Sequence, residues 1–236
     1  MMQMTHRLTG HLAKLTTHID AVPNAQVQYT LVLGDQKLPL NPLIGETIRL
    51  EHLGQINCSH CGRKTKKSYS QGYCFPCMQK LPQCDLCIMS PERCHFDAGT
   101  CRDEAWGQAF CMQPHIVYLA NSSNVKVGVT RKTQVPTRWI DQGAQEALEI
   151  VEVPNRYLAG VTEVALKKYV SDKTNWREML KGTATDENLE DWRQRLEPYI
   201  PEETKPYFLA NQKSLKLEFP VHKYPEKPKS LNLTKT

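Results

Sequence analysis

The stretch CSHCGRKTKKSYSQGYCFPC, residues 58–77, decides the local fold because it holds two closely spaced pairs of cysteines. Cys58 and Cys61 have two residues between them, as do Cys74 and Cys77, and twelve residues separate the pairs. Such gaps let four thiolates reach one ion, and four thiolates satisfy the tetrahedral preference of zinc with no open position. The sequence therefore predicts a structural zinc ribbon. Two unrelated surface pairs are the plainer alternative, and a redox CxxC is disfavoured without a βαβ context.

The loop between the two cysteine pairs is basic. It carries Arg63, Lys64, Lys66 and Lys67 together with two tyrosines, and residues 58–80 contain no Asp or Glu. Basic side chains on a metal-braced loop can neutralise phosphates, and tyrosines can stack on bases. We expect nucleic acid, either DNA or RNA, as the partner of this loop. A merely solvated loop is the alternative.

A second group of cysteines follows, with two histidines close by: Cys84, Cys87, Cys94, Cys101 and Cys111, then His95 and His115. One more four-ligand zinc site fits here, although five cysteines compete for four places. We favour Cys87, Cys94, Cys101 and Cys111, because these four would tie the whole segment to the unit that follows. Cys84 and His95 are the alternative ligands. The chain is therefore expected to bind about two zinc ions.

Composition narrows the class of protein. The 236 residues are 40% hydrophobic and 23% charged, as is ordinary for a globular protein, and the formal net charge is +5. No apolar run approaches the roughly 20 residues of a membrane span, and the N-terminus lacks a continuous apolar signal segment. We expect a cytoplasmic protein with no membrane partner, in a compartment where cysteines more often bind metal than form disulfides.

Hydrophobic periodicity divides the rest of the chain. Residues 27–33, and those around Ile48 and Leu50, alternate as half-buried strands do. Near the C-terminus, the acidic segment 184–199 has helical spacing, and residues 215–219 alternate again. The pattern predicts an α+β protein. Its four regions are a β-rich part (1–57), a zinc-binding module (58–114), an α/β unit (115–181) and an acidic helix with a C-terminal strand and tail (182–236).

The α/β unit at 115–181 reads as a small antiparallel sheet with flanking helices. Alternating valines beyond a polar turn predict a β-hairpin, while Pro136 suits the first turn of a helix and Gly143 its end. The predicted order is a hairpin, a helix, a third strand and a second helix, at residues 115–129, 136–143, 148–153 and 158–169.

This order of elements resembles that of the GIY-YIG nuclease superfamily. The matching residues are Val117-Tyr118-Leu119, Lys126-Val127-Gly128, Arg138, Glu163 and Asn175. The resemblance implies that Tyr118 positions or deprotonates the attacking water and that Arg138 stabilises charge on the phosphate. It also implies that Glu163 holds Mg²⁺ or Mn²⁺. In the same reading, Arg131 and Lys132 help to hold the nucleic-acid backbone.

Two departures from the superfamily pattern bear on activity. Ile116 stands at the first Gly of GIY, and Lys126 stands at the Tyr of YIG. The site could therefore keep phosphate binding without cleavage, and Glu163 could simply pair with Lys167 one turn further along its helix. Three hypotheses stay open: a metal-dependent endonuclease, a non-catalytic nucleic-acid-binding module and a zinc-braced protein-interaction adaptor.

A second resemblance covers the whole chain. The strings GYCFPC, PERC, GTCRDEAWG, HIVYLA, KVGVTR, PTRWIDQGAQ and DKTNW resemble an uncharacterised bacterial family, domain of unknown function 2797. Membership of that family implies no established activity, so hypotheses about function depend on the residues themselves.

Overall fold

A computed structural model describes residues 7–20 and 26–230. The chain forms a mixed α/β structure with two antiparallel sheets. The strands are β1 (Thr16–Ile19), β2 (Val27–Leu33), β3 (Gln36–Pro39), β4 (His115–Asn121), β5 (Val125–Arg131), β6 (Glu146–Val153) and β7 (Leu215–Lys216). The α-helices of the described residues are α1 (Phe75–Lys80), α2 (Glu104–Cys111), α3 (Thr137–Asp141), α4 (Arg156–Leu166), α5 (Trp176–Leu180) and α6 (Leu189–Leu196). Within those ranges, every helix is too short or too polar to cross a membrane.

The smaller sheet has the order β1-β2-β3 and confirms the strand predicted at 27–33. Gly34, with φ of +59°, makes the turn from β2 into β3. The strand predicted around Ile48 and Leu50 is wrong: this segment has no regular structure, and the two side chains are 56% and 57% exposed. Alternation alone forms no strand where no neighbouring strand pairs with it and no core covers the apolar face.

The larger sheet has the order β5-β4-β6-β7 and carries the α/β unit. β4 and β5 form the predicted hairpin, in a register that places Tyr118 opposite Gly128 and Ala120 opposite Lys126. The C-terminal strand is shorter than predicted, because only Leu215–Lys216 pairs with β6. β5 is left as an edge strand. The loop after α4 runs beside that edge, and the Val127 N–H donates to the carbonyl of Ser171 at 2.8 Å.

Two hydrophobic cores lie on opposite faces of the larger sheet. One contains Val117 and Leu119 of β4 and is covered by residues of α4 and α6. The other contains Ile116 and Tyr118 of β4 together with Trp139 of α3. Side chains alternate across a strand, so β4 supplies both cores and is buried along its whole length. The predicted helices are confirmed as α3, which ends before Gly143 at φ +62°, and as α4 and α6.

Candidate functional site

The first four cysteines form one cluster. The Sγ atoms of Cys58, Cys61, Cys74 and Cys77 all lie within 4.8 Å of one another. The Sγ atoms of Cys61 and Cys74 are 3.8 Å apart, and thiolates held about 2.3 Å from zinc at tetrahedral corners are separated by about 3.8 Å. This cluster can therefore hold a structural zinc ion, as its spacing in sequence predicted.

Local backbone geometry prepares this cluster for a metal. In the first knuckle, the Gly62 N–H donates to the Cys58 carbonyl at 2.9 Å, and α1 begins directly after Cys74. Burial raises the pKa of the Cys58 thiol, but N–H groups of Cys61 and neighbouring residues outweigh it and lower the pKa to about 6. These hydrogen bonds favour the thiolate of Cys58, which is the form that binds zinc, whereas burial and the neighbouring thiols raise the pKa of Cys77.

The basic loop, residues 62–73, projects from this cluster. Its four cations are exposed: Arg63, Lys64, Lys66 and Lys67. Within the described part of the chain none of these four forms an ion pair, and the Lys67 ammonium lies 5.3 Å from the centre of the Tyr69 ring. The loop therefore presents positive charge that the rest of the described chain does not neutralise.

The second group of cysteines surrounds a cavity rather than forming a closed cluster. Four of its cysteines line one cavity of about 10 Å³, although their four sulfur atoms do not all lie within 4.8 Å of one another: Cys87, Cys94, Cys101 and Cys111. A cavity of that volume is about large enough for one water molecule or one ion. All nine cysteines are free thiols, so no disulfide competes with a metal here.

Around the same cavity, the three donors that already lie within 4.8 Å of one another are Asp85, Cys87 and His95. The carboxylate of Asp85 pairs with Arg102 at 2.7 Å and accepts the Cys87 N–H at 3.1 Å. His95 Nδ1 contacts the Thr100 hydroxyl at 2.8 Å, and His95 Nε2 lies 3.5 Å from Asp85. Asp85 and His95 are thus already engaged in a hydrogen-bonded group at the rim. Cys84 is not among the residues that line the cavity.

Tyr118 is the most enclosed of the candidate catalytic residues. It is 0% exposed, and its hydroxyl accepts a hydrogen bond from Gln142 Nε2 at 2.6 Å. Gly128 leaves the space it needs, since a Cβ there would lie 2.7 Å from the hydroxyl. Burial raises the pKa of Tyr118. Arg138 opposes this shift and Glu163 adds to it, so charges from α3 and α4 act on the same ring.

Lys126 is a buried lysine on β5, where the loop after α4 pairs with the edge of the sheet. It is 5% exposed, and its ammonium donates to the Thr174 hydroxyl, which in turn lies 3.2 Å from the Ser122 hydroxyl. Across residues 7–20 and 26–230, Lys126 makes no ion pair. Burial, and after it the positive charge of Arg138, lower the pKa of Lys126 to about 8, although Asp172 opposes the shift.

Glu163 on α4 and Arg138 on α3 bring opposite charges to the surroundings of Tyr118. Arg138 is exposed on α3. Glu163 is half-buried on α4, where burial raises its pKa and Lys167 opposes that shift. The Lys167 ammonium lies 3.8 Å from the Glu163 carboxylate and 3.5 Å from that of Asp172. The i,i+4 pair of Glu163 and Lys167 that the sequence suggested is therefore present, and Asp172 is a second acidic neighbour of Lys167.

The remaining candidate residues already have contacts within the chain. Asn175 is the N-cap of α5, where its side chain accepts N–H groups of the first turn. The Arg131 guanidinium packs 3.9 Å from the centre of the Phe110 ring, and Lys132 pairs with Glu152 at 2.8 Å. These contacts give each side chain a structural use besides any contact with nucleic acid.

Sequence reasoning missed several residues of this region. Gln142 holds the Tyr118 hydroxyl, and Thr174 and Asp172 bring polar groups from the loop after α4 to the edge of β5. Lys126 and Thr174 are 48 positions apart, so no local pattern joins them. The string DKTNW, which includes both loop residues, was the one signal in the sequence.

Comparison with known proteins places the chain in a family. No curated protein and no solved structure matches it. A family model does match, over residues 45–236, which covers the cysteine clusters, the larger sheet and every α-helix of the described residues. The chain therefore belongs to the family described as "Protein of unknown function (DUF2797)".

Proposed function

We propose that this protein binds nucleic acid, with a phosphate seated between Lys126 and Arg138 and the zinc-braced basic loop holding the backbone. The observation that carries the proposal is the buried ammonium of Lys126, which has the neutral Thr174 hydroxyl as its hydrogen-bond partner. A buried charge costs free energy unless it is paired. An anion from outside the chain would supply that pairing.

Arg138 supports the same interpretation. Its positive charge lies close enough to lower the pKa of Lys126, so two like charges share one small region. Such a pair is unfavourable by itself and becomes favourable beside a phosphate, which can accept from both donors. The guanidinium of Arg138 is exposed and would meet a ligand first, while Lys126 would act from beneath. Because Lys126 is buried in a lower dielectric, it would attract a phosphate more strongly than an exposed lysine does.

The basic loop favours a polymer over a small phosphate compound. Four exposed cations on one short segment could neutralise several phosphates of one strand, and the counterions released from that strand would supply affinity without base specificity. The zinc ion would limit the motion of this loop, because α1 and both knuckles are attached to the same cluster.

The proposal is tested by titrating labelled single- and double-stranded DNA and RNA with the protein, using fluorescence anisotropy. Lys126→Met keeps the length of the side chain and removes its charge. We expect its affinity to fall about tenfold or more, since a charge-assisted hydrogen bond contributes about 1.5–3 kcal/mol. Lys205→Met is the matched control, because Lys205 is exposed and already pairs with Glu202. Equal losses in the two variants, or no binding by the wild type, would contradict the proposal.

An endonuclease is the second candidate function, and the carboxylates beside the phosphate seat favour it. Glu163 and Asp172 both approach the Lys167 ammonium, so two hard oxygen donors already share one cation. This donor set suits Mg²⁺ or Mn²⁺, which Glu163 and Asp172 would hold and which would supply charge stabilisation at the phosphate. Arg138 would stabilise the same developing charge, and Tyr118 with Lys126 would orient the proton acceptor.

Single-turnover cleavage assays with Mn²⁺ separate the two functions. Glu163→Gln keeps the size of the side chain and removes the carboxylate, so a nuclease would lose cleavage while nucleic-acid binding persists. Arg138→Ala should lose about 10²–10³-fold in rate, as when one preorganised charge stabiliser is removed. Equal cleavage by the wild type and both variants would indicate a contaminating nuclease. Binding without cleavage across DNA and RNA substrates would leave the non-catalytic function.

A further inference from the structure

The second cysteine group lies against the helix that carries Glu163. Segment 87–94 joins two of the cavity thiols and packs on α4. The Arg156 guanidinium, at the start of α4, donates to the Ile88 carbonyl at 2.6 Å and to the Cys87 carbonyl at 3.4 Å. The backbone of this segment is therefore hydrogen-bonded to α4 at one of the four cavity cysteines.

The same segment meets α4 again at Gly160. A Cβ at Gly160 would lie 2.1 Å from the backbone nitrogen of Glu92 and 2.4 Å from the carbonyl carbon of Pro91. The backbones of the helix and the segment are therefore in contact at Gly160. Any other residue at this position would hold them further apart. Gly160 and Glu163 are three positions apart and share one side of the helix, so this contact lies beside the carboxylate.

We propose that Cys87, Cys94, Cys101 and Cys111 bind a second zinc ion, and that this ion fixes the position of α4 and of Glu163. The four cysteines that line the cavity of about 10 Å³ supply the ligand number and softness that zinc prefers. Asp85 and His95 then lie outside the ligand set, as hydrogen-bonded neighbours of the kind that orient metal ligands. The ion would hold both ends of segment 87–94, and the segment would hold α4.

Zinc analysis by native mass spectrometry tests the metal site directly. The wild type should carry two zinc ions, and Cys101→Ser should carry one. Cys84→Ser is the matched control, since Cys84 does not line the cavity, and it should keep both ions. One ion in the wild type, or two in Cys101→Ser, would overturn the site. Loss of an ion in His95→Ala but not in Cys101→Ser would overturn the ligand set.

Hydrogen exchange of the α4 amides tests the mechanical link. In Cys101→Ser, exchange over residues 156–166 should be at least tenfold faster than in Cys84→Ser. Should Cys101→Ser not fold, Gly160→Ala should keep two ions and still show faster exchange in α4. If Cys101→Ser loses one ion and exchange in α4 stays unchanged, the link between the metal and α4 is overturned. Unchanged exchange in Gly160→Ala would overturn it as well. The consequence for Glu163 rests on the proposed function, but neither measurement involves nucleic acid, so failure of that function would leave both results interpretable.

Discussion

Replacing Gly160 with alanine sets two effects of known sign against each other. Gly160 lies inside α4, where alanine is intrinsically the better helix former by about 1 kcal/mol. The added methyl group, however, would lie 2.1 Å from the Glu92 nitrogen and 2.4 Å from the Pro91 carbonyl carbon. Overpacking typically costs about 1–3 kcal/mol, and the upper end applies because both obstructing atoms are backbone. We expect Gly160→Ala to lose about 2 kcal/mol of unfolding free energy.

Urea denaturation of the zinc-loaded protein measures this change, and a loss of about 2 kcal/mol should lower the midpoint by about 1 M. Val164→Ala is the matched control. Val164 is 38% exposed on the same helix, and its replacement should alter stability by no more than about 0.5 kcal/mol. A Gly160→Ala variant as stable as the wild type, or more stable, would refute the argument, because helix propensity would then have outweighed the contact with segment 87–94.

Three further predictions concern the metal and the charges. Cys58→Ser should lose one zinc ion by native mass spectrometry and unfold at a markedly lower temperature, because the cluster replaces a hydrophobic core there; two retained ions would exclude Cys58 as a ligand. Replacing all four cations of the basic loop with alanine should flatten the slope of log affinity against log salt by about 0.7–0.9 for each phosphate that the loop no longer neutralises; an unchanged slope would remove the loop from the interface. Nucleic-acid affinity should fall as pH rises through about 8, where Lys126 loses its proton and with it the charge that attracts phosphate; Lys126→Met should lack that fall, and an identical pH profile would exclude this lysine.

The elements set by local sequence were predictable. The hairpin of β4 and β5 follows from alternation about a polar turn, and α3 from a proline before it and Gly143 after it. The first cysteine cluster was equally clear, because the spacing of the two CxxC pairs leaves few other uses for them. In each case the decisive residues lie within about twenty positions of one another.

What the sequence did not reveal depends on contacts between distant segments. The strand predicted around Ile48 failed because no partner strand or core reaches it. Helix α2 was missed within the cysteine-rich segment, although Asp103 accepts the Trp106 N–H at 2.8 Å and is an ordinary N-cap. The Lys126–Thr174 contact and the packing of Pro91 on Gly160 join segments that only the tertiary fold brings together.

The proposed anion can be weighed against a purely structural role for Lys126 by comparing three lysines near the larger sheet. Lys132 pairs with Glu152, and Lys167 lies between the carboxylates of Glu163 and Asp172. Both lysines are more exposed than Lys126, and removing the carboxylate partner of either one would cost the protein little stability. Lys126 is the most buried of the three and has a hydroxyl where the others have carboxylates. A methionine would fill the same space without the cost of burying a charge, so the proposed phosphate would give Lys126 a role that stability alone does not supply.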